Sequence, residues 1–463
     1  MKIKKISAKE ILEEIALENY ISDANELSEL KEKCNGLLLF QENSPENKQA
    51  QIQAAIDFTQ SLWKKFDCQE IADLFMKFQR IEEALFGLER DEVSGSRSRE
   101  HFVHMFNCFV FGLRFIHKIS SGLPEDDVRS LFKVENENLK EVGLPFGENY
   151  SHTKRLFYIW TLISTFHDIA IPFQHLKKIG SGINNFVKEF GWEFSDSKVT
   201  MKSYDSSQLH SYFDLLGRLY GGKLVMEKGG RKYVKQTEPH YYISKLLGRE
   251  FDIGNHGVLS GFFLWKTIEE LFLVSKTSKY KFSIDQFNKY SEYVLEQDIA
   301  RASLAVSLHN LPPDARSGFL PQVFPISFKE YPLTFLLILA DELQEYLRWE
   351  GTSIENTMRF SWHPKIEVVK HNKKVISIRI SLSWDENAAT SVIDLANSIV
   401  RHNKGTPNIA TISEAADVVG NQIKESLENK LCLGKDFLLS FQILKDWKSV
   451  LFMKDLSSKT ETN

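Results

Sequence analysis

An imidazole and a carboxylate stand side by side at His167-Asp168, within the run Thr165-Phe166-His167-Asp168-Ile169-Ala170-Ile171-Pro172. Both groups are costly to bury unless they are paired or bind a metal. Further chemistry-bearing residues lie in other apolar stretches. His104 sits near the start of HFVHMFNCFVFGLRFIHKI (101–119), and His256 in the glycine-flanked NHGVLSG. His309 comes near the end of EQDIARASLAVSLHN, and Asp341 in the middle of PLTFLLILADELQEYLR. Each has an ordinary explanation alone: a satisfied core histidine for His104, a helix-start polar residue for His256, a cation favoured by a helix C-terminus for His309. Asp341 is the hardest to explain so, because a carboxylate inside Leu336-Leu337-Ile338-Leu339-Ala340 is costly if buried and unpaired. Taken together, buried imidazoles and carboxylates sharing one site satisfy one another through a metal. Mixed imidazole and carboxylate ligation suits a divalent transition-metal ion such as Mn, Fe, Co, Ni or Zn.

These residues need helices to carry them. Leu156, Ile159, Trp160, Ile163 and Phe166 recur at spacings of three and four, one face of a helix. That helix is expected to begin near Ser151 and stop before Pro172, since a residue preceding proline resists the α conformation. The doublet then falls on its last turn. Gly254 ends what precedes NHGVLSG, and Asn255 can cap the helix that begins there. Leu311-Pro312-Pro313 breaks the helix that carries His309, and Pro332 suits the first turn of the helix that carries Asp341.

The predicted fold class is mainly α. Residues 1–90 read as an N-terminal helical region, followed by the polar linker DEVSGSRSR (91–99). Residues 91–350 form the helical domain that carries the candidate ligands. Its stretch 180–235 is polar, with Gly-Gly pairs at 221–222 and 229–230, and is expected to be loop-like, an insertion that could close over the site. Residues 351–463 read as a small α+β segment: a hairpin from Lys365–Val369 and Val375–Leu382, helices at Ala388–Val400 and Ser413–Leu431, and a third strand at Asp436–Leu444.

Composition is that of a globular chain: 463 residues, 42% hydrophobic, 26% charged, with 34 phenylalanines that predict an aromatic core. A formal net charge of -4 disfavours sequence-blind polyanion binding, though a local basic groove is compatible with it. Cys34, Cys68, Cys108 and Cys432 form no CxxC pair and fit reduced thiols in the cytoplasm. No secretory leader is expected, and no apolar run reaches the about 20 residues that span a bilayer.

The order H…HD…H…H…D, each part on its own helix, resembles the HD-domain superfamily of metal-dependent phosphohydrolases over roughly Arg99 to Arg348. The first histidine follows a basic residue, as in Arg99-Glu100-His101-Phe102-Val103-His104, and the last aspartate precedes an acidic stretch, as in ILADELQEY. The wording HDIAIP, NHGVLSG and ADELQEY is most similar to HD proteins of bacterial conflict (defence) systems. The HD-GYP phosphodiesterases have a glycine and lysine after the doublet where this chain has Ala170 and Ile171, and no GYP signature follows His309.

The resemblance implies a helical HD core in which His104, His167, Asp168 and Asp341 form the core metal site, with His256 and His309 completing a second. Asp168 would bridge if two ions bind. The first-helix ligand is His104 or His101, three residues apart on one face; with His104 as the ligand, His101 would support it or contact phosphate. His167 and Asp168 would be catalytic, with water activated by metal attacking phosphorus in line, and His175 would donate a proton to the leaving group. Arg99, Arg155 and Arg301 would contact substrate phosphate, with Arg97 and Lys154 as further candidates. The implied substrate is a phosphoester or phosphodiester of a nucleotide or nucleic acid, in antiviral defence or nucleotide signalling. The alternative is a nucleotide-sensing or partner-binding HD module without turnover. The N- and C-terminal regions offer surfaces for a second copy or a protein partner. A third reading is a helical scaffold with unrelated histidines, which stoichiometric metal would exclude.

Overall fold

The computed structural model describes residues 6–21, 23–43, 48–65, 71–78, 101–133, 152–173, 206–220, 224–228, 231–235, 239–277, 292–311, 326–345, 364–371, 375–384, 389–403, 405–434 and 436–456. The chain is mainly α-helical, with a four-stranded sheet towards its C-terminal end.

Helices α1 (Ala8–Ile15), α2 (Ala24–Asn43), α3 (Lys48–Lys65) and α4 (71–78) make the N-terminal region. Ser7 and Glu10 start α1 with reciprocal side-chain-to-backbone hydrogen bonds, a capping box. Trp63 of α3 and Phe75 of α4 both meet the ring of Phe166 edge-on, directly before the His-Asp doublet. The expected linker 91–99 lies outside the described residues.

The centre is α5 (His101–Ser120), on which every residue but His117, Lys118 and Ser120 is buried. A helix apolar all round must be surrounded. It is packed by α1 and α3, by α7 (His152–Phe166) and by α12 (Pro332–Glu345), with α6 (Glu125–Leu131) lying against α7. Gly112 of α5 lets α7 come close: a Cβ there would stand 1.9 Å from the Trp160 ring, whose Nε1 donates to the Phe109 carbonyl at 3.1 Å. The remaining core helices are α8 (Ser206–Tyr220), α9 (Pro239–Asp252), α10 (His256–Thr277) and α11 (Glu292–His309).

The stretch 180–235 is not simply a loop. It contains α8 and an antiparallel hairpin, β1 (Leu224–Lys228) with β2 (Arg231–Lys235), in which Lys228 pairs Arg231. Leu209, Tyr212, Phe213 and Leu216 recur at helical spacing and pack into the core, a period that the polar residues between them hide. Residues 180–205 lie outside the described ones.

After α12 come β4 (Lys365–His371) and β5 (Ile376–Trp384), an antiparallel pair as expected. Helices α13 (Ala389–His402) and α14 (Ile412–Lys430) follow, then β7 (Phe437–Lys445) and β8 (Ser449–Leu456). The order is β4-β5-β7-β8; β5 and β7 run parallel, which is why the long α13–α14 crossover separates them. Strand β8 is absent from the sequence reading: its burial pattern does not alternate, and both Val450 and Met453 are exposed. Two-residue strands β3 (Ile326–Ser327) and β6 (Leu431–Cys432) pair in parallel and stitch this region to the helices.

The described parts of residues 1–90, 91–350 and 351–463 contribute to one continuous hydrophobic core. Phe437 packs against Phe115, Phe328 and Phe335. The buried Arg114 guanidinium donates to Glu14 of α1 at 2.7 Å and to the Pro364 carbonyl at 2.8 Å, joining all three regions. One stretch, Arg155–Phe173, is long and apolar enough by length and composition to cross a membrane, but 94% of it is buried inside the protein.

Candidate metal centre

Four helices aim side chains at one point. His104 comes from the second turn of α5, His256 from the first residue of α10, His309 from the last residue of α11 and Asp341 from the middle of α12. His167 and Asp168 follow α7, whose last turn continues through the hydrogen bond from the His167 amide to the Ile163 carbonyl at 3.1 Å. The helix therefore ends two residues earlier than expected, and the doublet occupies the turn that leaves it. That turn is fixed by the Ala170 amide, which donates to Ser260 Oγ on α10 at 3.0 Å. Gly254, in the left-handed conformation at φ 83°, and Asn255, whose Oδ1 accepts from the Val258 amide, end α9 and begin α10 as the sequence predicts. Gly257 lets α10 begin beside α11: a Cβ there would stand 3.1 Å from His309 Cε1.

Asp168 is the middle of the cluster. Its Oδ2 faces His104 Nε2 at 3.6 Å and His167 Nε2 at 3.5 Å; its Oδ1 faces His256 Nε2 at 3.6 Å and His309 Nε2 at 3.7 Å. On the first side, His104 Nε2 also lies 3.0 Å from His167 Nε2 and 3.0 Å from Asp341 Oδ1. The carboxylate thus separates two pairs of imidazoles.

The ring nitrogens are set from behind. His167 Nδ1 lies 2.9 Å from the Ser164 carbonyl and His309 Nδ1 2.6 Å from the Val306 carbonyl. A carbonyl only accepts, so both rings carry the Nδ1 proton when neutral and turn an Nε2 lone pair to the centre. His309 Nε2 is buried and, among the described residues, has no hydrogen-bond partner, since 3.7 Å to Asp168 is too long for one. This orphaned lone pair, aimed at a carboxylate and two further imidazoles, is what a metal ligand looks like without its ion. Outer hydrogen bonds of this kind orient metal-ligating histidines. His256 Nδ1 meets the Asn310 side-chain amide at 3.1 Å, and Asn255 Nδ2 holds the Asn310 carbonyl at 3.1 Å. As placed, Asn310 Nδ2 donates to His256 Nδ1, which leaves the ring proton on Nε2; the opposite amide orientation would let Asn310 Oδ1 accept from Nδ1 and turn the Nε2 lone pair inward.

Burial and charge act against each other here. Burial opposes ionisation of Asp168, but His167, His309, His104 and His256 outweigh it and hold the carboxyl well below its usual range. Asp341 is likewise lowered: burial is overcome chiefly by His104, even though Asp168 opposes it. Burial pushes His167 below the usual imidazole range, and Asp168 and Asp341 offset this only in part. For His309 burial has the same sign, yet Asp168 and Asp341 prevail and raise it. Two ionised carboxylates among mostly buried imidazoles form a ready cation site. The groups His104, Cys108, His167 and Asp168, His256, His309 can each hold a metal ion, with donor atoms within 4.8 Å of one another.

All six proposed ligands come together. His101 is buried one turn before His104, with its ring edge-on to Phe78 at 6.2 Å. Arg155 does not reach the cluster as a free cation: it is buried in a two-pronged ion pair with the equally buried Asp298 of α11, Nε to Oδ2 at 2.6 Å. Arg301 is half-buried on α11, two turns before His309. Arg99 and His175 lie outside the described residues. Cys108 and Asn310 were not singled out from the sequence as site residues, and Asn255 was read only as a helix cap. Cys108 could have been, by its i+4 spacing from His104; the two asparagines depend on the meeting of α10 and α11, which no local pattern encodes.

Compared with family models, with curated proteins and with solved structures, the chain matches none.

Proposed function

We propose that this protein is a metal-dependent phosphohydrolase of HD type, cleaving a phosphoester or phosphodiester of a nucleotide or nucleic acid. The observation that carries this reading is Asp168, with one oxygen towards His104 and His167 and the other towards His256 and His309. A carboxylate so placed suits a pair of divalent ions, one per side, drawn from Mn, Fe, Co, Ni and Zn. When bound, such ions lower the pKa of water and neutralise charge on a phosphoryl group.

The chain's own groups do the rest. Asp168 holds the two sides in register. The Ser164 and Val306 carbonyls keep the Nε2 lone pairs of His167 and His309 turned inward. Buried walls around His104, His167 and His309 exclude bulk water, which strengthens every charge interaction inside. Substrate approaches from the side of Asp341 and His256, whose side chains are 19% and 13% exposed while the other ligands are closed. Among the described residues Cys34, Cys108 and Cys432 form no disulfide, which suits a cytoplasmic setting. The resemblance to HD proteins of conflict systems directs the reading towards antiviral defence or nucleotide signalling.

The test is a hydrolysis panel of mono-, di- and cyclic nucleotides and single-stranded DNA, with and without added divalent metal. Metal-stimulated turnover is expected, lost in Asp168→Ala and His167→Ala while far-ultraviolet circular dichroism is retained. Metal-loaded protein that hydrolyses nothing on the panel, yet is thermally stabilised by a nucleotide, would replace this reading with a sensing module.

A further inference from the structure

We propose that Cys108 is a thiolate ligand on the His104 side of the centre, so that the two sides prefer different metals. This rests on the metal-centre reading above and adds a ligand to it.

A buried cysteine in an aromatic core can be a small apolar filler. Its placement here goes further. Cys108 follows His104 by four residues on α5, so the two side chains share one helix face, and both are buried. Its Sγ lies beside the His104 ring, 3.7 Å from Nε2 and 4.0 Å from Nδ1, so a turn of the Cys108 side chain brings the sulfur to an ion held at Nε2. That same Nε2 meets His167 Nε2 and Asp341 Oδ1, each at 3.0 Å. Donors sharing one four-coordinate ion at their usual bond lengths stand roughly 3.3 to 3.6 Å apart. One ring nitrogen each of His104 and His167 and the sulfur of Cys108 lie within 4.8 Å of one another, close enough for a single ion to draw together. Across Asp168, the described donors are two imidazoles and the other carboxylate oxygen, with no sulfur among them.

Ligation needs the thiol to lose its proton, which passes to solvent as the ion enters; the thiolate charge is then taken up by the ion. Thiolate selects the softer or borderline cations, zinc above all and cobalt or iron next, over manganese. The side formed by His256, His309 and Asp168 carries no such bias and accepts manganese.

Cobalt(II) substitution tests this without reference to turnover. The full-length protein is stripped of metal, loaded with cobalt and scanned in the near ultraviolet, beside Cys108→Ser and a variant with Cys34, Cys68 and Cys432 all changed to serine. The expected result is a thiolate-to-cobalt charge-transfer band in the wild type and in the triple variant, lost in Cys108→Ser. The triple variant assigns the band should Cys108→Ser fail to fold. Cobalt bound with tetrahedral visible bands but no charge-transfer band would overturn the Cys108 assignment and leave the metal centre standing. No stoichiometric cobalt in the wild type would overturn both.

Discussion

Removing the Asp168 carboxylate should cost both sides of the centre, because its two oxygens face different histidine pairs. Asp341→Ala should act more locally, since Asp341 meets His104 on one side only. Equilibrium dialysis should therefore show Asp168→Ala losing both binding steps and Asp341→Ala weakening one. Asn310 acts one step back, through His256. Asn310→Ala is expected to lower affinity at the second step by about 10- to 100-fold, the usual cost of losing an outer hydrogen bond to a ligating histidine. Equal weakening of both steps would contradict this assignment. The pH dependence has a definite sign. His309 is held above its ordinary 6.5, so in metal-free protein it stays protonated past that value and an ion must displace the proton. Affinity should rise from about pH 6 to about pH 8, with proton release visible by calorimetry in two buffers of different ionisation enthalpy. Stability of the metal-free protein from His309 is present below 6.5 and lost as pH rises through the raised value. That from Asp168 and Asp341 is present above the ordinary carboxylate range and lost as acid reaches their lowered values.

At the scale of elements, the site depends on how closely helices approach. Gly112 permits α5, which carries His104, and α7, which leads into His167, to meet closely at Trp160. Gly112→Ala forces a methyl group into the indole ring and should cost about 1–3 kcal/mol in denaturant unfolding, typical of overpacking. Little change would show that this contact yields. The helices that carry ligands were readable because each has a strong local signature. Period-three-and-four apolar residues mark α7, Asn255 and Gly254 mark the start of α10, and Pro332 marks the start of α12. What was not readable lacks such a signature. The α8 residues Leu209, Tyr212, Phe213 and Leu216 do keep helical spacing, but within a polar stretch with Gly-Gly pairs that reads as loop, and β8 leaves Val450 and Met453 exposed, without a clean alternation. The Arg155–Asp298 pair joins residues far apart in sequence, and nothing near Arg155 indicates that its charge is already taken.

At the scale of the molecule, the C-terminal region is part of the body that holds the centre. Glu342, next to the candidate ligand Asp341, bonds to Ser426 and Lys430 of α14, and Phe437 fills space between Phe115, Phe328 and Phe335. A chain ended after residue 350 would expose that apolar surface and leave the buried Arg114 without the Pro364 carbonyl. It should therefore aggregate or unfold without a cooperative transition. Cooperative melting of such a fragment near the full-length temperature would show that the helical part stands alone. The sequence division at 351 was legible as a change from helix to alternating strands; the shared core across it was not, because burial of Phe115 or Phe335 does not reveal the partner that covers it.

The central claim is a metal centre built on Asp168, and metal content tests it most directly. Purified full-length protein from metal-replete expression should carry between one and two divalent transition-metal ions per chain by plasma mass spectrometry, falling towards none in Asp168→Ala that retains its fold. Wild-type protein that stays well below one ion per chain, even after reloading with Zn, Mn, Fe, Co or Ni, would contradict it.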